Sequence, residues 1–106
     1  MTARAHAVHV EAPEELMLRS AAALRRMGAR LTRYDLQAQT LEARASGWVR
    51  EIVIRLTVRE EAAGRCRLTI DSWLERGLDL GSSRRTIRRF EAVLADTPLP
   101  ALERRR

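Results

Sequence analysis

Between Arg50 and Glu60 the chain reads REIVIRLTVRE, and this alternation constrains the fold more than any other stretch. Side chains in a strand point to opposite faces with a period of two. Ile52, Ile54, Leu56 and Val58 therefore share one face, and Val53, Arg55, Thr57 and Arg59 share the other. A strand with one apolar and one polar face belongs to a sheet covered on one side, the usual condition of antiparallel sheets. The stretch RCRLTIDSW repeats the pattern, with Cys66, Leu68, Ile70 and Ser72 inward and Arg65, Arg67, Thr69, Asp71 and Trp73 outward. The short EEAAG between the two runs reads as a turn.

The remaining segments build around that pair. TLEARAS reads as a strand with Leu41, Ala43 and Ala45 on one face, and ARLTRYD as a weaker strand turned by LQAQ. Gly47 marks the next turn and carries Trp48 with it. In AHAVHVEA the alternation places Val8 and Val10 on one side of a first strand. Pro13, Glu14 and Glu15 then open a helix in which Leu16, Met17, Ser20, Ala21, Leu24 and Met27 recur at three- and four-residue spacing, and Gly28 closes it. Ile87, Phe90, Val93 and Leu94 draw a second helical stripe, which TPLPALERRR stops.

The order is strand, helix, four strands, helix. It predicts an α+β fold in which an antiparallel sheet of about five strands carries both helices on one face. A chain of 106 residues is one domain, read here as residues 1–97 with a short tail over 98–106. This architecture resembles the TATA-binding-protein-like and helix-grip folds. Within DSWLERGLDLGSSRRTIRRFEAVL, Asp79, Leu80, Gly81, Arg84, Ile87, Phe90 and Leu94 resemble the C-terminal signature of a family of bacterial domains of unknown function. In that family a strand ends in Asp-Leu-Gly, a polar residue follows, and a helix carries Arg and Ile before a late Leu. Asn usually stands there in the place of Ser83. The resemblance implies the fold and brings no reaction with it.

Cys66 is the sole cysteine, which suggests a buried free thiol in a reducing compartment. No segment approaches the roughly 20 apolar residues that span a bilayer, so a cytoplasmic chain without membrane contact is expected. His6 and His9 fall on opposite faces of one strand, and with a single Cys no metal site is expected. No glycine-rich phosphate loop or nucleophile elbow occurs, and Glu60 and Glu61 sit on a turn. These readings lead to the expectation that the chain is not an enzyme and needs no cofactor.

Two surfaces remain as binding candidates. All 20 basic residues are Arg, against 14 acidic ones, for a net charge of +6, and Arg suits carboxylate and phosphate partners. On the outer sheet face, Arg44, Val53, Arg55, Arg65, Arg67 and Trp73 form the first candidate. Its expected occupant is a protein partner or a second copy of the chain, at the open face or the sheet edge. Nucleic acid stacked on Trp73 is the alternative, although Glu42, Glu51 and Asp71 on the same strands can neutralise the Arg residues. A small apolar ligand between helix and sheet is a second alternative. The other candidate surface is an anion site at the start of the last helix, formed by Ser82, Ser83, Arg84 and Arg85. There, capping by Ser82 or Ser83 is the simpler account.

Overall fold

The computed structural model describes residues 2–46, 51–76, 79 and 81–100. The elements are β1 (Thr2–His9), α1 (Pro13–Arg26), β2 (Arg30–Asp35), β3 (Thr40–Ser46), β4 (Glu51–Ala62), β5 (Arg65–Leu74) and α2 (Ser82–Ala95). The strands form one sheet in the order β1-β5-β4-β3-β2, and every neighbouring pair is antiparallel. The first strand thus lies beside the last. The α+β expectation holds in class, strand number and order. Gly47 and Trp48 of the expected turn, Gly77 and Leu80, and residues 101–106 of the expected tail lie outside the described residues.

The period of two places the core. Ile54, Leu56, Leu68 and Ile70 are completely buried, and Leu41 and Ala43 continue the same face on β3. Leu16, Met17 and Leu24 of α1 and Phe90 of α2 press onto it and are equally inaccessible. α1 packs over β2, β3 and β4, while α2 packs over β5 and β1. Pro13 opens α1, acidic residues occupy its first turn and Arg25 and Arg26 its last, in keeping with the helix dipole. Gly28 follows with φ of 84°, and Ala29 N–H donates to Leu24 O at 2.9 Å.

In β1 the side that Val8 and Val10 share is the outer one. Val8 and Val10 are 44% and 88% exposed, and the inward side is Ala3, Ala5, Ala7 and His9. The register with β5 decides this, since Ala5 stands opposite Ile70 and Ala7 opposite Leu68. Small side chains there let α2 approach the sheet closely, and Ala3 and Ala5 pack against the core. β2 is irregular, with a register shift between Leu31 and Arg33 that leaves Tyr34 exposed.

Arg19 ties the two helices together. Its Nε donates to Thr97 O at 2.8 Å, its Nη2 donates to Leu94 O at 2.7 Å, and its Nη1 pairs with Glu11. Arg26 adds bonds from Nη1 to Asp96 O at 3.0 Å and to Thr97 Oγ1 at 3.1 Å. Carbonyls at a helix C-terminus lack intrahelical partners and carry partial negative charge, so guanidinium groups complete them. Cys66 lies beneath this region, its thiol donating to Glu11 O at 3.3 Å, and burial raises the thiol's pKa and keeps it protonated.

His9 is half-buried 3.6 Å from Glu11, and burial lowers its pKa from the ordinary 6.5, with Arg19 adding to the effect and Glu11 opposing it. The unfolded chain therefore takes up the proton more readily. Stability contributed by neutral His9 is present above the ordinary value and is lost as pH falls from there through the folded value. Denaturant melts of His9→Gln at several pH values should lose that part of the slope. Leu56→Ala should cost roughly 2 to 5 kcal/mol in the same assay, and a loss under about 0.5 would contradict the register.

Candidate binding face

Residues opposite one another on neighbouring strands share a face, so the register lays the outer side of the sheet out in rows. The first row runs Thr2, Trp73, Val53, Arg44 and Arg30. The second runs Arg4, Asp71, Arg55, Glu42 and Arg33, alternating in charge across all five strands. His6, Thr69, Thr57 and Thr40 form a third row that ends at Asp35 on β2, and Val8, Arg67 and Arg59 a fourth.

The second row is bonded at two of its neighbouring pairs, while Arg33 at its end turns to Asp35 at 3.8 Å. Arg4 holds Asp71 through two bonds, Nε to Oδ1 at 2.6 Å and Nη2 to Oδ2 at 3.3 Å. Arg55 donates to Glu42 Oε2 from Nε at 3.1 Å and from Nη2 at 3.0 Å. Its guanidinium carbon lies 5.0 Å from the centre of the Trp73 ring, within range of a cation–π contact. Trp73 is consequently half-buried by its own neighbours, and Val53, between Trp73 and Arg44 in the first row, is 1% exposed.

Arg44 reaches Glu75 at 3.2 Å and Glu51 at 3.5 Å, and Arg67 Nε reaches Glu61 at 2.6 Å. Asp71 and Glu75 in turn raise the pKa values of Arg4 and Arg44, first through hydrogen bonding and then through charge. Arg44, Val53, Arg55, Arg67 and Trp73 are thus brought onto one face. Arg65 stands apart at the hairpin end of β5, eight residues along the strand from Trp73. Glu61 and Glu75 were missed as partners, because one looked like solvated turn charge and the other lies just past a strand end.

A shallow concavity of about 650 Å³ opens over the first two rows, lined by Thr2, Arg4, Arg55, Asp71, Trp73 and Leu74. A second hollow of about 400 Å³ lies over the third and fourth rows. Both reach β1, the edge strand, through Arg4.

The start of α2 has a different arrangement from the expected one. Gly81 is the cap residue, with φ of 90°, and Ser83 N–H donates to Asp79 Oδ1 at 3.2 Å. Asp79 therefore caps the helix from outside it, where Ser82 or Ser83 was expected to do so. Ser83 and then the neighbouring backbone amides hold the Asp79 carboxyl below its usual range. Ser83 is completely buried, while Arg84 and Arg85 are exposed and Ser82 is half-buried. The four residues do not converge around one open point, and a carboxylate already meets the helix amides. A side chain at position 81 would be strained by that φ and would meet Arg85 Nη1 at 3.1 Å.

No family model matches the chain, and no curated protein matches it. Solved structures do. The di-domain ARO/CYC StfQ from the steffimycin biosynthetic pathway superposes with a TM-score of 0.64 at 13% identity, over 89% of this chain. This chain spans 44% of that protein's length. Ara h 8.0201 superposes with a TM-score of 0.55 at 7% identity, over 91% of this chain and 96% of its own. These likenesses establish a helix-grip-like architecture. The expectation that the chain is not an enzyme is overturned by the first, an aromatase/cyclase on the same frame. That expectation rested on the lack of a local motif, and on such a frame reactive groups from separate strands can converge without leaving one. Among the described residues no helix is long and apolar enough to cross a membrane.

With most outer guanidiniums already paired, single-stranded DNA should bind weakly and with a shallow salt dependence. The log–log slope should stay near −0.7 to −1.4, about one or two phosphates, and Arg55→Gln should leave it unchanged. Anisotropy titrations giving a slope of about −2.8 or steeper would contradict this account.

Proposed function

We propose that the chain is a binding module whose principal contact is a second copy of itself, made along the edge strand β1 with the Trp73 concavity flanking the seam. The observation that carries this is the contrast between the two sheet edges. β2 is six residues long, broken in register and charged by Arg30, Arg33 and Asp35, all devices that discourage strand addition. β1 runs eight residues in unbroken register with β5, contains no Pro, and carries exposed Val8 and, just beyond it, exposed Val10. An unprotected edge offers its free backbone groups to another strand.

The sequence of β1 suits its own copy. A two-fold antiparallel pairing centred on Ala5 sets Ala3 against Ala7, Arg4 against His6 and Thr2 against Val8. No two like charges meet. His6→Lys, a change at an exposed position, would place cations opposite Arg4 of the other copy at two points. At about 0.2 to 1 kcal/mol each, they should weaken the pairing roughly two- to thirtyfold. Sedimentation of the wild type at micromolar concentration should show dimers that His6→Lys loosens. A wild type that stays monomeric, or dimers indifferent to His6→Lys, would refute the reading.

A small apolar ligand between helices and sheet is the second reading. It is supported by the helix-grip-like frame and by the Ser20 and Ser72 hydroxyls, which are buried in that layer with no partner among the described residues. Against it, Leu16, Met17, Leu24, Phe90, Leu56 and Ile70 fill the layer to complete burial. A ligand would have to displace them.

A further inference from the structure

The fourth row of the outer face sets two cations directly against each other, Arg59 on β4 and Arg67 on β5. Like charges opposite one another on an antiparallel pair destabilise it. Elsewhere on this face the opposition is relieved by carboxylates. Arg30 and Arg44 also face each other, and Glu51 lies 3.8 Å from the first and 3.5 Å from the second. At the Arg59–Arg67 pair the relief is incomplete. Glu61 takes the Nε of Arg67 and leaves its terminal nitrogens without a carboxylate, while Arg59 has no ion pair among the described residues.

The surroundings favour an anion. The hollow of about 400 Å³ over these residues is floored by the hydroxyls of Thr57 and Thr69, which stand opposite each other, and His6 Nδ1 is 3.2 Å from Thr69 Oγ1. Of the charged residues that line the hollow, Arg4 and Asp71 neutralise one another and Glu61 offsets Arg67 through its Nε, which leaves Arg59 as the cation in excess. Two guanidinium groups with free donors, beside neutral hydroxyls, supply the chemistry that a tetrahedral oxyanion takes, since it accepts several hydrogen bonds at once.

We propose that this hollow is a phosphate-binding site, in which Arg59 and Arg67 grip one phosphate group from both sides and Thr57 and Thr69 offer hydroxyl donors beneath it. The bound dianion neutralises the two opposed cations and relieves their repulsion. Arg59 and Arg67 lie on β4 and β5, so changes at these two residues test this site without altering the β1 edge, although His6 and Arg4 of β1 also line the hollow.

The test uses the full chain in chloride buffer, titrated with inorganic phosphate and, in a parallel arm, with phenyl phosphate. Arginine Nε–H resonances and thermal melting supply the readouts. The Arg59 and Arg67 resonances should shift saturably, with a Kd of about 1 mM or tighter. Arg59→Gln should weaken binding at least about tenfold. In phosphate-free buffer the same variant should melt no lower than the wild type, because it removes a like-charge opposition, whereas a purely structural Arg59 would lower it. Arg65→Gln, a change at the exposed hairpin end, should leave affinity unaltered. Equal binding in the two arms assigns the site to the phosphate group itself, and tighter binding of phenyl phosphate assigns it to esters. Linear, unsaturating shifts in both arms, or equal weakening by Arg65→Gln, would overturn the proposal.

Discussion

The strict two-residue period of β4 and β5 is the constraint on which the rest of the structure depends. Because Ile54, Leu56, Leu68 and Ile70 all turn inward, both helices must lie on that side, and the intervening residues are committed together to the other. A one-residue slip would turn Arg55, Arg67 and Asp71 into the core and expose the whole apolar set. The outer face is therefore a consequence of the core. Its charges accumulate in rows because antiparallel register aligns them, and the row from Arg4 to Arg33 alternates in sign, with Arg4 paired to Asp71 and Arg55 to Glu42.

How far the sequence was legible follows from the same physics. In β4, β5 and β3, large aliphatic residues alternate with charged ones, so the pattern has one solution. In β1 the competing sets are Ala and Val, and hydrophobicity alone prefers Val inside. What decides is the distance to α2, a tertiary fact that admits Ala and leaves Val8 and Val10 exposed. Asp79 is legible as an acid that suits the helix start, but two Ser residues nearer the helix compete with it for the role of cap. Nothing in the local sequence singles Arg19 out among the 20 Arg residues. Its role depends on Leu94 and Thr97, which lie more than seventy residues away along the chain.

The same limits apply to the candidate sites. Five of the six residues named for the outer face share it, but Val53 is sealed beneath its neighbours and Arg65 stands at the end of a hairpin. A count of Arg suggests a strongly basic platform, whereas the pairs to Asp71, Glu42, Glu61, Glu51 and Glu75 confine the unbalanced charge to a small part of it. Likeness to StfQ and Ara h 8.0201 places this frame among helix-grip-like chains, and at 13% and 7% identity it carries the architecture alone. Function on such a frame has to be argued from its own surfaces, here proposed to be the open face and the free edge.

The most direct test of that view is amide hydrogen exchange along β1 as a function of protein concentration. In a monomer, only the amides bonded to β5 are protected, so protection alternates along the strand. If β1 is the seam between two copies, the intervening, edge-facing amides should gain protection as concentration rises through the micromolar range, while those of β2 should not. Alternating protection that is unchanged at every concentration would contradict the account.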